Sequence, residues 1–236
     1  MKRIVGVILL AALVLAVPPL DGKERGFTAE YRAYYGSMRG ASTVFTLERW
    51  NDDEWLWQSR SEPAGVVSMF RDDIITERSR FRVVENGIQA LDYRYHHREG
   101  GDTRRQRHLA FDLNDGIVRF NDDGDRGELE VPAHSLDRFL AQYVLMRSLA
   151  NDERPEGFHI VDRDRQFEQA LDYAGEERIR TRAGRFDTVR VDLKDADSER
   201  VLSLWMAPEL DYLPVKLEQS EPGERTVRME LESSDR

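Results

Sequence analysis

The sequence predicts a mostly β protein: a single antiparallel sheet curved around an apolar interior, with one main helix. Three observations carry that expectation. After residue 26, apolar and polar residues alternate through one short run after another, which is the period of a half-buried strand. Clusters of Asn, Asp and Gly separate the runs. One stretch, from Leu136, abandons alternation for helical spacing.

The 236 residues carry a formal charge of −10 and no cysteine. All-β chains of this length commonly form one domain. With 40% hydrophobic and 34% charged residues, the chain can bury a core and keep a solvated surface. Its opening reads differently. Lys2 and Arg3 precede an uncharged run from Ile4 to Val17, and Pro18-Pro19 stop any helix. A basic head with an apolar run of under about 15 residues is a secretory signal, whereas a spanning helix needs about 20. The expected organisation is a signal peptide over 1–16, a short linker over 17–26, and one β domain over 27–233. Cleavage after Ala16 removes Lys2 and Arg3 and takes the charge from −10 to −12. So acidic a protein is a poor partner for nucleic acid. Lack of cysteine leaves no disulfide framework and no lipid acceptor behind the signal. The expected location is the periplasm, as a free protein and not a lipoprotein, with no transmembrane segment in the mature chain.

The strands follow in order. Phe27, Ala29, Tyr31 and Ala33 share one parity; Phe45 and Leu47 lead to the turn Asn51-Asp52-Asp53, and Trp55 and Trp57 open the return strand. Ile75, Phe81 and Val83 oppose Arg78, Arg80 and Arg82 in parity. A three-residue loop with Gly87 at positive φ pairs Phe81 with Leu91 and Arg80 with Asp92, which keeps like with like on each face. The next hairpin turns at Gly100-Gly101. Aligning Leu91 with Leu113 and Tyr95 with Leu109 sets His96 opposite His108.

Leu136, Phe139, Leu140, Tyr143 and Val144 make a helical stripe over about 136–150, with Ser135 placed to cap it and Asn151 to Pro155 to end it. The curved sheet is the one large apolar surface available, so the stripe is expected to pack on its concave face. Strands resume with Phe158 and Ile160, then Leu171 and Tyr173, Val189 to Leu193, Leu202 and Leu204, Val215 and Leu217, and Val227 to Leu231.

Two segments of this half form a recognisable pattern. Gly175-Glu176-Glu177-Arg178-Ile179-Arg180-Thr181-Arg182-Ala183-Gly184-Arg185-Phe186 runs into Asp187-Thr188-Val189, and Trp205-Met206-Ala207-Pro208-Glu209-Leu210-Asp211-Tyr212-Leu213-Pro214-Val215-Lys216 follows. With the opening strand Phe27-Thr28-Ala29-Glu30-Tyr31, they resemble the DUF3108 family of exported bacterial proteins. That family looks like the half-barrel carriers of the LolA and LolB type. The resemblance implies a strongly curved, half-barrel-like sheet with helix on its concave face, and it implies no catalytic residues. Both segments also read as architecture, a tight turn at Ala183-Gly184 and a strand start at Pro214.

No His-Glu-x-x-His metal motif, phosphate-cradling glycine loop or Gly-x-Ser-x-Gly elbow occurs. His96, His97 and His108 read as surface histidines, and Asn121 to Asp125 as a turn without the glutamate that completes a calcium loop. Arg78, Arg80 and Arg82, near Arg94, Arg104, Arg105 and Arg107, read as an ordinary mixed surface with Glu77, Glu85 and Asp92. No catalytic residue, cofactor or metal is expected. The functional expectation is non-catalytic binding of a lipid or other amphipathic envelope ligand. Tyr31, Trp57, Phe81, Tyr93, Tyr95, Phe139, Tyr143 and Trp205 are the candidate apolar interior. The alternative is a structural module that binds an envelope protein partner and has a packed interior with no ligand. An open apolar cavity above about 300 Å³ favours the first.

Overall fold

The computed structural model describes residues 25–85 and 87–236. The expected signal segment and nearly all of the linker lie outside the described residues. The strands are β1 (Phe27–Tyr35), β2 (Met38–Arg49), β3 (Glu54–Pro63), β4 (Ile74–Val84), β5 (Gly87–Glu99), β6 (Asp102–Asp112), β7 (Ile117–Asp122), β8 (Asp125–Glu130), β9 (Leu136–Asp137), β10 (Gly157–Asp162), β11 (Arg165–Arg180), β12 (Arg185–Asp195), β13 (Val201–Ala207), β14 (Leu213–Ser220) and β15 (Val227–Ser234); the helix is α1 (Arg138–Ala150). All fifteen strands form one sheet, in the order β8 back to β1, then β15 back to β9. The first and last strands pair with each other near its middle. Two meanders thus spread in opposite directions from one central pair. The sheet is open, with β8 and β9 at its edges.

Those edges nevertheless approach. Gln166 of β11 donates its side-chain amide to the Glu130 carbonyl of β8 at 2.7 Å, and Arg107 of β6 donates to Asp162 of β10 at 2.9 Å. The seam of the half-barrel is therefore bridged by side chains instead of a backbone ladder.

Parity set the buried face as expected in the middle of β4, where Phe81 and Ser79 are fully buried, but Val83 near its end is exposed. Arg80 pairs with Asp92 and Gly87 has φ +122°, as the loop argument requires. Phe81, however, pairs with Ala90, not Leu91. The strands run on to a Val84–Gly87 pair, so the connection is shorter than expected, and a bulge between Arg80 and Phe81 restores the register beyond it. The next hairpin departs further. Gly100 and Gly101 both have positive φ and close a two-residue turn, and a bulge follows at His97/Arg98. Tyr93 then faces Leu109, Arg94 faces His108 and His96 faces Gln106, so the expected pairing of His96 with His108 does not form.

The helix begins at Arg138, two residues later than expected, and its cap is Asp137. One Asp137 carboxylate oxygen accepts from the Phe139 and Leu140 amides at 3.0 and 2.8 Å. Ser135 instead donates its hydroxyl to the Pro132 carbonyl. Leu136 and Asp137 stay extended because they pair in parallel with Ile160 and Val161 of β10. Phe139, Leu140, Ala141, Tyr143, Leu145, Met146 and Leu149 are all buried, so α1 is covered nearly all round. It is a plug in the concave face. Among the described residues, no helix is long and apolar enough to cross a membrane.

Candidate binding site beside the helix

The expected interior residues divide into three groups. Trp57, Phe139, Tyr143, Phe81 and Tyr31 belong to a continuous aromatic core. Trp57 stacks on Phe139, and Tyr143 lies between Trp57 and Phe81 with centroids 5.6 and 5.2 Å away. Tyr31 meets Phe45 edge-on and donates its hydroxyl to the Pro214 carbonyl at 2.7 Å. Along the body of α1 the interior is therefore filled.

Tyr93, Tyr95 and Phe139 line what is left open. Beside the start of α1 lies a pocket of about 420 Å³, framed by β4, β5 and β6 on one side and by α1 and β10 to β14 on the other. Its apolar wall is Tyr93, Tyr95, Phe139, Val161, Leu193 and Leu202. Its other wall is ionic, which corrects the expectation of an apolar cavity. Asp162 binds Arg107 and Arg138 at 2.9 and 3.0 Å. Arg138 continues to Asp195 at 2.9 Å, and Gln169 donates to Asp195 at 2.9 Å. The Arg138 guanidinium also lies 4.5 Å from the centre of the Phe167 ring.

Two further acids face the pocket without an ion-pair partner among the described residues. Glu77 accepts the Tyr93 hydroxyl at 2.8 Å. Asp137 accepts the Ser79 hydroxyl at 2.8 Å on the same oxygen that caps the helix. Burial is the first cause that raises both carboxyls. Burial and, after it, the Glu77 charge push Asp137 up to about 7. Burial and the Glu77 charge raise the Tyr93 hydroxyl as well.

Trp205, the remaining candidate, does not join this interior. Its strand turns Leu204 towards Val191 and Leu217. Trp205 pairs instead with Arg190 and Lys216 on the opposite face, where Lys216 sits 3.8 Å over the ring and Glu177 accepts the indole N–H at 2.9 Å. It is buried by cations.

Glu77 and Arg107 correct the reading of an arginine-rich outer surface. Glu77 shares the inward parity of Ser79 and Phe81, and Arg107 that of Leu109. A charged residue on an apolar parity was the available signal. The other arginines do belong to a mixed surface: Arg80 and Arg82 both bind Glu54, and Arg94 binds Asp92. His97 bonds Asp73, His108 bonds Asp92, and His96 bonds Thr103. At the acidic turn, Asn121 accepts the Gly124 amide and Asp123 the Gln106 amide. Among the described residues, no group of three or more His, Cys, Asp or Glu is placed to hold a metal ion.

A family model described as "Protein of unknown function (DUF3108)" matches residues 30–232. No curated protein matches the chain. The crystal structure of a β-barrel-like protein of domain of unknown function DUF1849 from Brucella abortus is similar at a TM-score of 0.59 and 9% identity, covering 89% of this chain and 97% of that one. A candidate lipoprotein from Parabacteroides distasonis aligns at a TM-score of 0.39 and 12% identity, over 90% of this chain and 96% of that one. The first of these likenesses shows a shared fold.

Proposed function

This chain belongs to the DUF3108 family of proteins of unknown function, and from that premise we propose that it is an exported, non-catalytic binder of an amphipathic small molecule. The observation that carries the reading is the pocket of about 420 Å³ with one apolar and one ionic wall, in an interior that is otherwise packed. Its volume lies within the usual range for small-molecule sites of about 300–1,000 Å³. Export rests on the basic head and apolar run of residues 1–16. The absence of a catalytic role rests on the occupation of Asp162 and Asp195 in ion pairs and of Asp137 in capping the helix.

The test is native mass spectrometry of the protein purified from the envelope fraction of expressing cells. Wild type is expected to carry a small organic adduct. Leu202→Trp, which fills the apolar wall, is expected to lose it while melting normally. Wild type with no adduct, and no ligand-induced rise in melting temperature, would overturn the reading.

A second reading is a protein-interaction module. Val66 and Met69, on a short turn at Gly65–Met69, and Phe70 just after it are 73–80% exposed, and Met38 is 56% exposed. Loss of a co-purifying envelope protein on Phe70→Ser, with the pocket empty, would favour this reading over the first.

A further inference from the structure

The polar groups at the pocket are unevenly satisfied. Each arginine on its wall already has a carboxylate: Arg107 has Asp122 and Asp162, Arg138 has Asp162 and Asp195, Arg105 has Asp123, Arg163 has Asp122, and Arg200 has Glu221. Among the described residues, two acceptors at the pocket do not have donors. The second carboxylate oxygen of Asp137 is buried without a hydrogen-bond partner, on a residue only 1% exposed. The same holds for the side-chain oxygen of Gln169, a residue 4% exposed. Both residues line the pocket, as does Glu77.

Buried acceptors left unpaired cost about 1–3 kcal/mol each, and charged ones cost more. A donor group held in the pocket would lie beside both residues. Among the described residues, the acids Asp137 and Glu77 are held only by neutral donors, namely the Ser79 and Tyr93 hydroxyls and the helix amides. Arg107 is the cation whose charge Glu77 feels, and its guanidinium is taken by Asp122 and Asp162.

Building on the reading that this pocket holds a ligand, we infer that the ligand carries a protonated primary amine, seated between Asp137 and Glu77 with a third hydrogen bond to Gln169. An ammonium group offers three donors and one positive charge, which matches three acceptors and two unpaired acids. Its apolar part then lies along Tyr93, Phe139 and Leu193, and the aromatic rings favour the cation further. An anionic headgroup meets the opposite situation, with unpaired acids and arginines already neutralised. The raised carboxyls of Asp137 and Glu77 agree with a site that lacks its counter-cation.

The experiment compares n-octylamine, n-octanol and octanoate by calorimetric titration of the full chain. Octylamine is expected to bind at least about tenfold more tightly than either of the others. Glu77→Gln and Asp137→Asn should each weaken octylamine by about tenfold and octanol by much less, since only the ammonium loses a charge partner. Asparagine keeps the helix cap, and Glu77 caps nothing, so Glu77→Gln decides the matter if Asp137→Asn fails to fold. Equal binding of all three compounds, or octylamine binding indifferent to both variants, overturns the amine while leaving a ligand pocket standing. No binding of any compound to wild type, with Leu202→Trp behaving identically, overturns the pocket reading and the amine with it.

Discussion

Trp57 of β3 and Phe139 of α1 stack with ring centroids 5.4 Å apart and planes inclined by 15°. This contact joins the helix to the middle of the first meander. Phe139 also meets Phe45 at 5.9 Å, so its ring is held by two strands. Phe139→Ala would leave a cavity among rings that cannot collapse freely. The expected loss is about 3–5 kcal/mol in chemical denaturation. A loss below about 1 kcal/mol, with altered ligand binding, would identify α1 as a loosely docked lid and not a plug.

Gly87 holds φ +122° at the start of β5, and a Cβ built there meets nothing within 4 Å. The cost of a side chain is therefore purely conformational. Gly87→Val should destabilise by about 1 kcal/mol or more, and Gly87→Ala by less than valine. Equal stability of wild type and the valine variant would show that this backbone relaxes.

Asp137 is expected to leave a signature in the pH dependence of stability. Its carboxyl is about 3.8 when unfolded and about 7 when folded, so between those values the native state holds the proton more tightly. Its contribution is fully present below about pH 4, falls as pH rises, and is lost above about pH 7. Glu77 faces it from β4 and is shifted the same way, while Ser79 and the Phe139 and Leu140 amides oppose the shift. Asp137→Asn keeps the cap and removes the titration. Each tenfold difference in proton affinity between the folded and unfolded chain is worth about 1.4 kcal/mol. The stability of wild type relative to this variant should therefore drop by several kcal/mol from about pH 4 to about pH 7.5. A constant difference across that range would contradict a raised Asp137.

Asp162 ties Arg107 to Arg138 across the seam. Asp162→Ala leaves Arg107 to Asp122 alone and Arg138 to Asp195 alone. The expected cost is about 2–3 kcal/mol, below the full range for a buried pair because Arg138 is a third exposed. The Arg107→Met, Asp162→Ala double variant should recover part of that loss. If the double variant is no more stable than Asp162→Ala, the two residues are not coupled.

Much of this was legible in the sequence. Alternation placed Phe81, Leu109, Val191 and Leu204 inward, because the two-residue period of a strand needs no tertiary information. The stripe Phe139, Leu140, Tyr143 marked the helix. The positions of Leu202, Leu204 and Met206 also contained the orientation of Trp205, whose odd parity outweighs its size. Registers were harder. A bulge at Arg80/Phe81 and another at His97/Arg98 each shift the count by one residue, and neither leaves a mark that counting detects. The ionic wall was harder still. Glu77 and Arg107 stand on apolar parities, but what makes that tolerable is Asp162, 55 residues beyond Arg107, and Tyr93 across a strand pair.

The pairing of β1 with β15 sets an order on folding. Ala29 bonds to a strand whose partner residue is Ser234, and neither meander can join the other until residues 227–234 are in place between β1 and β14. The two wings can each zip up from local hairpins, yet the seam and its pocket exist only after that late insertion. Contacts so distant along the chain slow folding, since a long loop must close before they are rewarded. A growing chain stays divided into two incomplete wings until β15 is added between β1 and β14.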